Sequence, residues 1–164
     1  MTATSPATQS VPSHLPDELV ASSIFLLKRL GAAAKTRAFE AYEETGLGPY
    51  HHAVLSVLDE GSRETQSAIA DALGYDPGQL VGLLDELEDR GLLERRRDPS
   101  DRRRHIVRLT AEGAQALGLL RALAHRIEDE FLAGLDEDER ATLHALLLRL
   151  ARRHEPLCAP PSAG

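Results

Sequence analysis

Seven arginines fall within nineteen residues of this chain: Arg95, Arg96, Arg97, Arg102, Arg103, Arg104 and Arg108, with His105 among them. Against them stand three acids, Glu94, Asp98 and Asp101. A merely solvated surface favours mixed charge, whereas planar guanidiniums on a projecting loop suit phosphate oxygens and a narrow minor groove. A second set of groups lies upstream. Gln79 carries an amide able to bond adenine N6 and N7 together, and Gly78, Val81 and Gly82 share its exposed helical face. The sum of charges argues the other way, since 19 basic residues meet 26 acidic ones for a net charge of −7. Distribution overrules the sum, because a segregated basic edge draws DNA while the remaining surface repels it.

The elements that must position these groups read continuously from Thr65 to Thr110. Thr65 caps a helix over Gln66–Leu73 that Gly74 closes, and a three-residue turn follows. Asp76, Pro77 and Gln79 open a second helix, which stops at Gly91; here the Gln79 amide has a competing use, a return bond to the Asp76 backbone. Leu80, Leu83, Leu84 and Leu87 make its apolar face and leave Gln79, Gly82, Asp85 and Glu86 opposite. Gly82 costs about 1 kcal/mol inside a helix, which calls for close backbone approach, to DNA or to a neighbouring helix. Beyond Gly91 the apolar period changes to that of a β-hairpin, with strands near Leu92–Arg97 and Arg103–Leu109 around a DPSD turn.

The order LGYDPGQLVGLLDELEDRGLLERRRDPSDRRRHIVRLTAEG resembles the recognition helix, wing and following helix start of MarR-type winged helix-turn-helix transcription factors. Asp101, Arg102 and Arg103, preceded by Asp98 and Pro99 and followed by Leu109, Thr110 and Gly113, are its most specific part. The resemblance implies a mainly α fold, a winged helix-turn-helix with a small β-hairpin wing and long N- and C-terminal dimerisation helices. It places Gly78, Gln79, Val81 and Gly82 in the major groove and Arg97, Arg102, Arg103 and Arg104 on DNA from the wing, with Asp98 and Asp101 holding the wing in shape. It also implies a homodimer, a double-stranded operator, and a cleft for a small aromatic or anionic ligand, for which Phe39, Tyr42, Tyr50, His51, His52 and His125 are the candidates. Family recognition helices often carry Ser or Thr and a basic residue on the exposed face; this one does not.

On this reading residues 1–16 and 155–164 are flexible tails by composition and residues 17–154 form one domain. Its winged helix occupies 48–110, and its dimerisation helices 17–45 and 110–154. One long helix is expected over Asp17–Glu44, with Val20, Ile24, Leu27, Ala34 and Ala38 on one stripe and Leu19, Leu26 and Leu30 widening it. Pro49 opens the next, ending near Asp59 or Glu60, with Val54, Leu55 and Leu58 inward. Arg63 and Glu64 are the candidate third strand. Thr110 caps a helix carrying Leu117, Leu120, Ala124, Ile127 and Phe131. Asp136 and Glu139 form the capping box of a last helix with Leu143, Leu146, Leu147 and Leu150.

Other chemistries find less support. No phosphate-cradling loop or nucleophile motif is present, so no enzyme and no cofactor are expected. His125 and Asp129 stand one helical turn apart but lack a second histidine at matching spacing, so no metal site is expected. The single cysteine, Cys158, lies in the terminal stretch. Residues 1–16 resemble neither signal nor transit peptide, and no run reaches about 18 apolar residues, so a cytoplasmic protein without a membrane span is expected. The rival to DNA binding is a winged-helix protein-interaction module, motivated by Asp76, Asp85 and Glu86 on the exposed face. Adjacent rings at Tyr50, His51 and His52 cannot all face inward, and surface placement is their simplest account.

Overall fold

Helical caps written into the sequence decide where the elements of this chain begin. The computed structural model describes residues 14–61, 64–99, 101 and 105–159. They fall into two units, one up to Thr36 and one from Arg37 onward.

In the first unit the expected helix from Asp17 is interrupted. A single turn, α1 (Asp17–Val20), is followed by a fresh start at α2 (Ser23–Glu43), whose last residues belong to the second unit. The cause is Ser22, whose Oγ accepts from the Phe25 N–H at 3.3 Å. A serine that bonds the backbone three residues on offers the chain an alternative to continuing the helix. Leu19, Val20, Ile24, Leu26, Leu27 and Leu30 are all exposed.

The second unit begins at the end of α2, where Gly46 turns the chain with φ of 67°. Then come α3 (Pro49–Asp59), α4 (Gln66–Leu73) and α5 (Pro77–Asp89). Thr65 Oγ1 accepts from Ala68 N–H at 3.3 Å, and Gly74 adopts the left-handed conformation that closes α4. Asp76 Oδ1 accepts from both Gly78 and Gln79 N–H, at 2.8 and 3.2 Å, and Pro77 supplies the first turn of α5.

Strands β1 (Leu93–Arg97) and β2 (His105–Leu109) pair antiparallel with Arg95 opposite Val107. Glu64 and Thr65 extend this ladder at its edge: Val107 N–H donates to Glu64 O at 2.7 Å, and Thr65 bridges Ile106. The expected third strand is thus reduced to one bridge; Arg63 lies outside the described residues. Thr110 joins wing to helix, since its hydroxyl donates to Gly91 O at 2.7 Å and accepts from Gly113 N–H at 3.0 Å, starting α6 (Ala111–Phe131). Asp136 and Glu139 close a reciprocal capping box on α7 (Glu137–His154). Beyond it, Pro156–Cys158 makes one 3-10 turn within the stretch expected as a tail.

The core lies under the helix-turn-helix. Val54 and Leu55 of α3, Ile69 of α4, Leu80, Leu84 and Leu87 of α5, Leu93 and Val107 of the hairpin, and Leu117 and Leu120 of α6 are all at most 2% exposed. Each such aliphatic side chain contributes roughly 1.5–3 kcal/mol on burial, so α5 is held by its whole apolar face. No residue of α7 is buried, and Leu146, Leu147 and Leu150 are exposed.

Candidate nucleic-acid interface

The exposed face of α5 divides into two halves of different character. At its C-terminal half every acid that faces outward from Asp85 to Glu88 is occupied. Arg95, projecting from β1, places Nε 2.8 Å from Glu88 Oε2 and Nη2 2.6 Å from Asp85 Oδ1, and its backbone N–H donates to Glu88 Oε1 at 3.1 Å. These bonds hold the Glu88 carboxyl below its ordinary range, the side-chain hydrogen bond from Arg95 being the largest cause, and they raise Arg95 in turn. On the other flank, Glu86 Oε2 lies 2.9 Å from Nε2 of His51 in α3. Asp76 is the cap of α5 itself. The three acids that motivate a protein-docking surface therefore each have an internal task.

The N-terminal half is open. Gly78, Gln79, Val81 and Gly82 are exposed. Asp76 caps the Gln79 backbone, and among the described residues the Gln79 side-chain amide makes no return bond, so its competing use is not taken up. The two glycines have different grounds. A Cβ at Gly78 would stand 3.0 Å from the capping Asp76 Oδ1, whereas a Cβ at Gly82 would meet nothing within 4 Å. Packing against another helix does not account for Gly82.

In the wing the arginine excess is smaller than composition suggests. Arg95 is clamped to α5, Arg96 pairs with Glu94 at 2.9 Å, and Arg108 approaches Glu64 at 3.6 Å. Among the described residues three of these arginines thus have acidic partners, Arg95 across to α5, Arg96 two residues back on its own strand and Arg108 at Glu64, so part of the basic excess has a use within the fold. Arg97 is exposed at the end of β1. Asp98 and Asp101 are half-buried, and each is engaged in a polar interaction. Arg102, Arg103 and Arg104 lie outside the described residues.

The candidate effector residues gather around the first turn of α3. Phe39 and Tyr50 meet edge to face with ring centroids 5.8 Å apart, and Tyr50 meets Tyr75 the same way at 5.6 Å. Tyr42 Oη lies 2.6 Å from His52 Nδ1. Burial, assisted by the Arg121 charge, lowers the His52 pKa and so favours the neutral ring. Burial raises Tyr42 likewise; for Tyr75 burial acts first and the neighbouring Tyr50 second. His51 Nδ1 accepts from Gly48 N–H at 2.9 Å, a ring serving where Glu or Gln serves in a capping box. Surface placement holds for Tyr50, at 37% exposure, and is corrected for His51 and His52, which are half-buried and hydrogen-bonded.

Tyr75, in the turn between α4 and α5, was not among the sequence candidates, and no spacing rule ties it to Tyr50. His125 is exposed on α6 and, among the described residues, makes no hydrogen bond or ring contact with this cluster. Asp129, its expected neighbour, pairs with Arg140 at 2.9 Å, and no group of three or more His, Cys, Asp or Glu side chains converges among the described residues. An open, polar pocket lies elsewhere, between the end of α3 and β2, lined by Leu58, Asp59, Glu64, Val107, Arg108 and Leu109.

The MarR family profile matches residues 45–104. A putative transcriptional regulatory protein for the hcr operon of Thauera aromatica is 35% identical over 127 residues, covering 76% of each chain. Two crystal structures share the fold. CouR from Rhodococcus jostii RHA1, bound to p-coumaroyl-CoA, superposes with a TM-score of 0.68 at 30% identity, over 89% of this chain and 98% of that one. MarR from E. coli in its apo form superposes at 0.70 with 25% identity, over 79% and 96%. Among the described residues no helix is long and apolar enough to cross a membrane. The capped helix pair, the hairpin that follows it and these likenesses agree, and the chain belongs to the MarR family of transcriptional regulators.

Proposed function

We propose that this chain acts in the cytoplasm as a homodimeric repressor of a pseudo-palindromic operator and is released by a small aromatic or anionic ligand. The observation that carries the reading is the division of α5: Asp85 and Glu88 pair with Arg95, Glu86 pairs with His51 and Asp76 serves as the cap, leaving Gly78, Gln79, Val81 and Gly82 exposed beside an arginine-rich wing. In this reading Gln79 bonds a base edge, Gly82 lets the helix backbone close on the groove, and Arg97, Arg102, Arg103 and Arg104 hold phosphate or minor groove. Asp98 and Asp101 shape the wing. Two heads meet half-sites about one helical turn apart, and a ligand that alters head spacing prevents both from binding together. Phe39, Tyr42, Tyr50, His51, His52 and, from α6, His125 are the candidate ligand contacts. The bound p-coumaroyl-CoA of CouR supports a ligand of that class, an aromatic acyl group with anionic phosphates.

The test is fluorescence anisotropy of the protein against a labelled duplex from upstream of its own gene, beside a scrambled duplex, at several salt concentrations. The wild type should prefer the upstream duplex and show a steep salt slope. Replacing Arg102 and Arg103 by alanine should weaken binding to both duplexes and lower the slope by about two, one phosphate contact for each arginine. An unchanged slope would refute the wing assignment.

A further inference from the structure

His51 occupies an unusual position between two helices. Its Nδ1 is committed as acceptor to the Gly48 N–H at the start of α3, so that nitrogen carries no proton. The remaining proton sits on Nε2, which at 2.9 Å from Glu86 Oε2 donates to α5. The ring is only 12% exposed, whereas Glu86 is 59% exposed. The bond therefore ties an exposed carboxylate on the recognition helix to a largely enclosed ring rather than the reverse. Its neighbours continue the link: Tyr50 meets Phe39 of α2 and Tyr75 of the helix-turn-helix turn, and His52 bonds Tyr42 of α2. Three consecutive rings thus reach α2, the turn before α5, and α5 itself. On the opposite flank α5 is gripped by Arg95 through Asp85 and Glu88.

We infer that His51 is a positioning residue for DNA binding: as the Nε2–H tautomer it fixes the rotation of α5 about its axis through Glu86, and so aims Gln79 and Gly82 at the groove. The inference rests on the DNA-binding reading above. It makes α5 a helix held from both sides at its C-terminal half, with its free half directed by the two grips.

A coupled pair of substitutions tests it. His51→Glu keeps an acceptor for the Gly48 N–H, as glutamate does in ordinary capping boxes, but sets a carboxylate against Glu86. Glu86→Gln keeps an acceptor for His51 in the otherwise unaltered protein and supplies an amide donor when His51→Glu is also present. The readout is the ratio of affinities for a duplex enriched by the wild type from a random-sequence pool and for its scrambled counterpart. The ratio discounts the uniform effect of changing charge beside DNA. His51→Glu should reduce it about tenfold, Glu86→Gln should leave it within about twofold of wild type, and the double variant should recover to the level of Glu86→Gln alone. Thermal midpoints of all four proteins report the cap separately. Should His51→Glu fold poorly, Glu86→Ala, which leaves the His51 cap on the Gly48 N–H in place and removes the acceptor of its Nε2–H, should lower the ratio with the fold intact. Equal losses from His51→Glu in both backgrounds, or no loss with either His51→Glu or Glu86→Ala, would overturn the positioning role while leaving DNA binding standing. A wild type that enriches no sequence would overturn the DNA-binding reading itself and this inference with it.

Discussion

Two glycines show how a single Cβ separates structure from function. Gly113, in the first turn of α6, has no room: a Cβ there would stand 1.9 Å from Leu92 O and 2.9 Å from Leu92 C, and backbone cannot give way as a side-chain end can. Its identity is settled inside the fold, by the crossing of α6 over the start of the wing. Gly82 has the opposite surroundings, with nothing within 4 Å of the position a Cβ would take. A helix interior gains stability when glycine becomes alanine, so Gly82→Ala should stabilise the protein by about 0.5–1 kcal/mol. On a chain of this size that is a rise in Tm of roughly 1–4 °C. The same methyl group stands on the face proposed to enter the groove, and operator affinity should fall several-fold. Calorimetry and anisotropy on one preparation read both effects; a stabilised variant with unaltered affinity would leave Gly82 without a role in DNA approach.

At the scale of elements, the attachment of α5 to the wing is a prediction in itself. Arg95 is mostly buried between Glu88 and Asp85, and both acids sit on one side of α5. Arg95→Met retains the aliphatic stem but strands the two carboxylates beside each other, which removes charge-assisted bonds and adds repulsion. Discounted for the partial exposure of both acids, the cost should be about 1–2 kcal/mol, read as a lower urea midpoint with an unchanged m-value. A variant with the wild-type midpoint would mean that the apolar face alone holds α5. The starts of α4 to α7 were legible because caps are local: Thr65, Asp76, Thr110 and Asp136 each bond an N–H two or three residues on. The break at Ser22 was not, since an apolar stripe runs on both sides of it and periodicity reads through. Bonds between distant residues were illegible altogether. His51 to Glu86 spans 35 positions and Arg121 to Asp59 spans 62; Arg95 likewise crosses from the wing to Asp85 and Glu88, so the sequence pointed to an arginine-rich wing and an acidic helix without revealing that part of each neutralises the other.

At the scale of the molecule, the apolar surface is distributed in a way one chain does not resolve. Ile24 is 77% exposed and Leu30 53%, while Leu146, Leu147 and Leu150 repeat at helical spacing along α7 with more than 40% exposure each. Isolated exposed leucines are ordinary, but aligned sets on the first and last long helices leave wet the faces that a symmetric partner would cover. The amphipathic pattern of α7 explains its own lack of buried residues if its apolar stripe is satisfied only by a second copy. Introducing Glu at Leu147 and Leu150 together, and separately at Ile24, places charge on these stripes without touching the core under the helix-turn-helix. If these stripes carry the proposed dimer, sedimentation velocity should show a dimer for the wild type and a monomer for the variants, while the far-ultraviolet circular dichroism of the helices persists. Operator affinity should fall further than any single wing substitution achieves, because a monomer engages one half-site and loses the effective concentration that links the two. A charged variant that still sediments as a dimer would remove these stripes from the interface and require another face of the chain to carry the twofold axis.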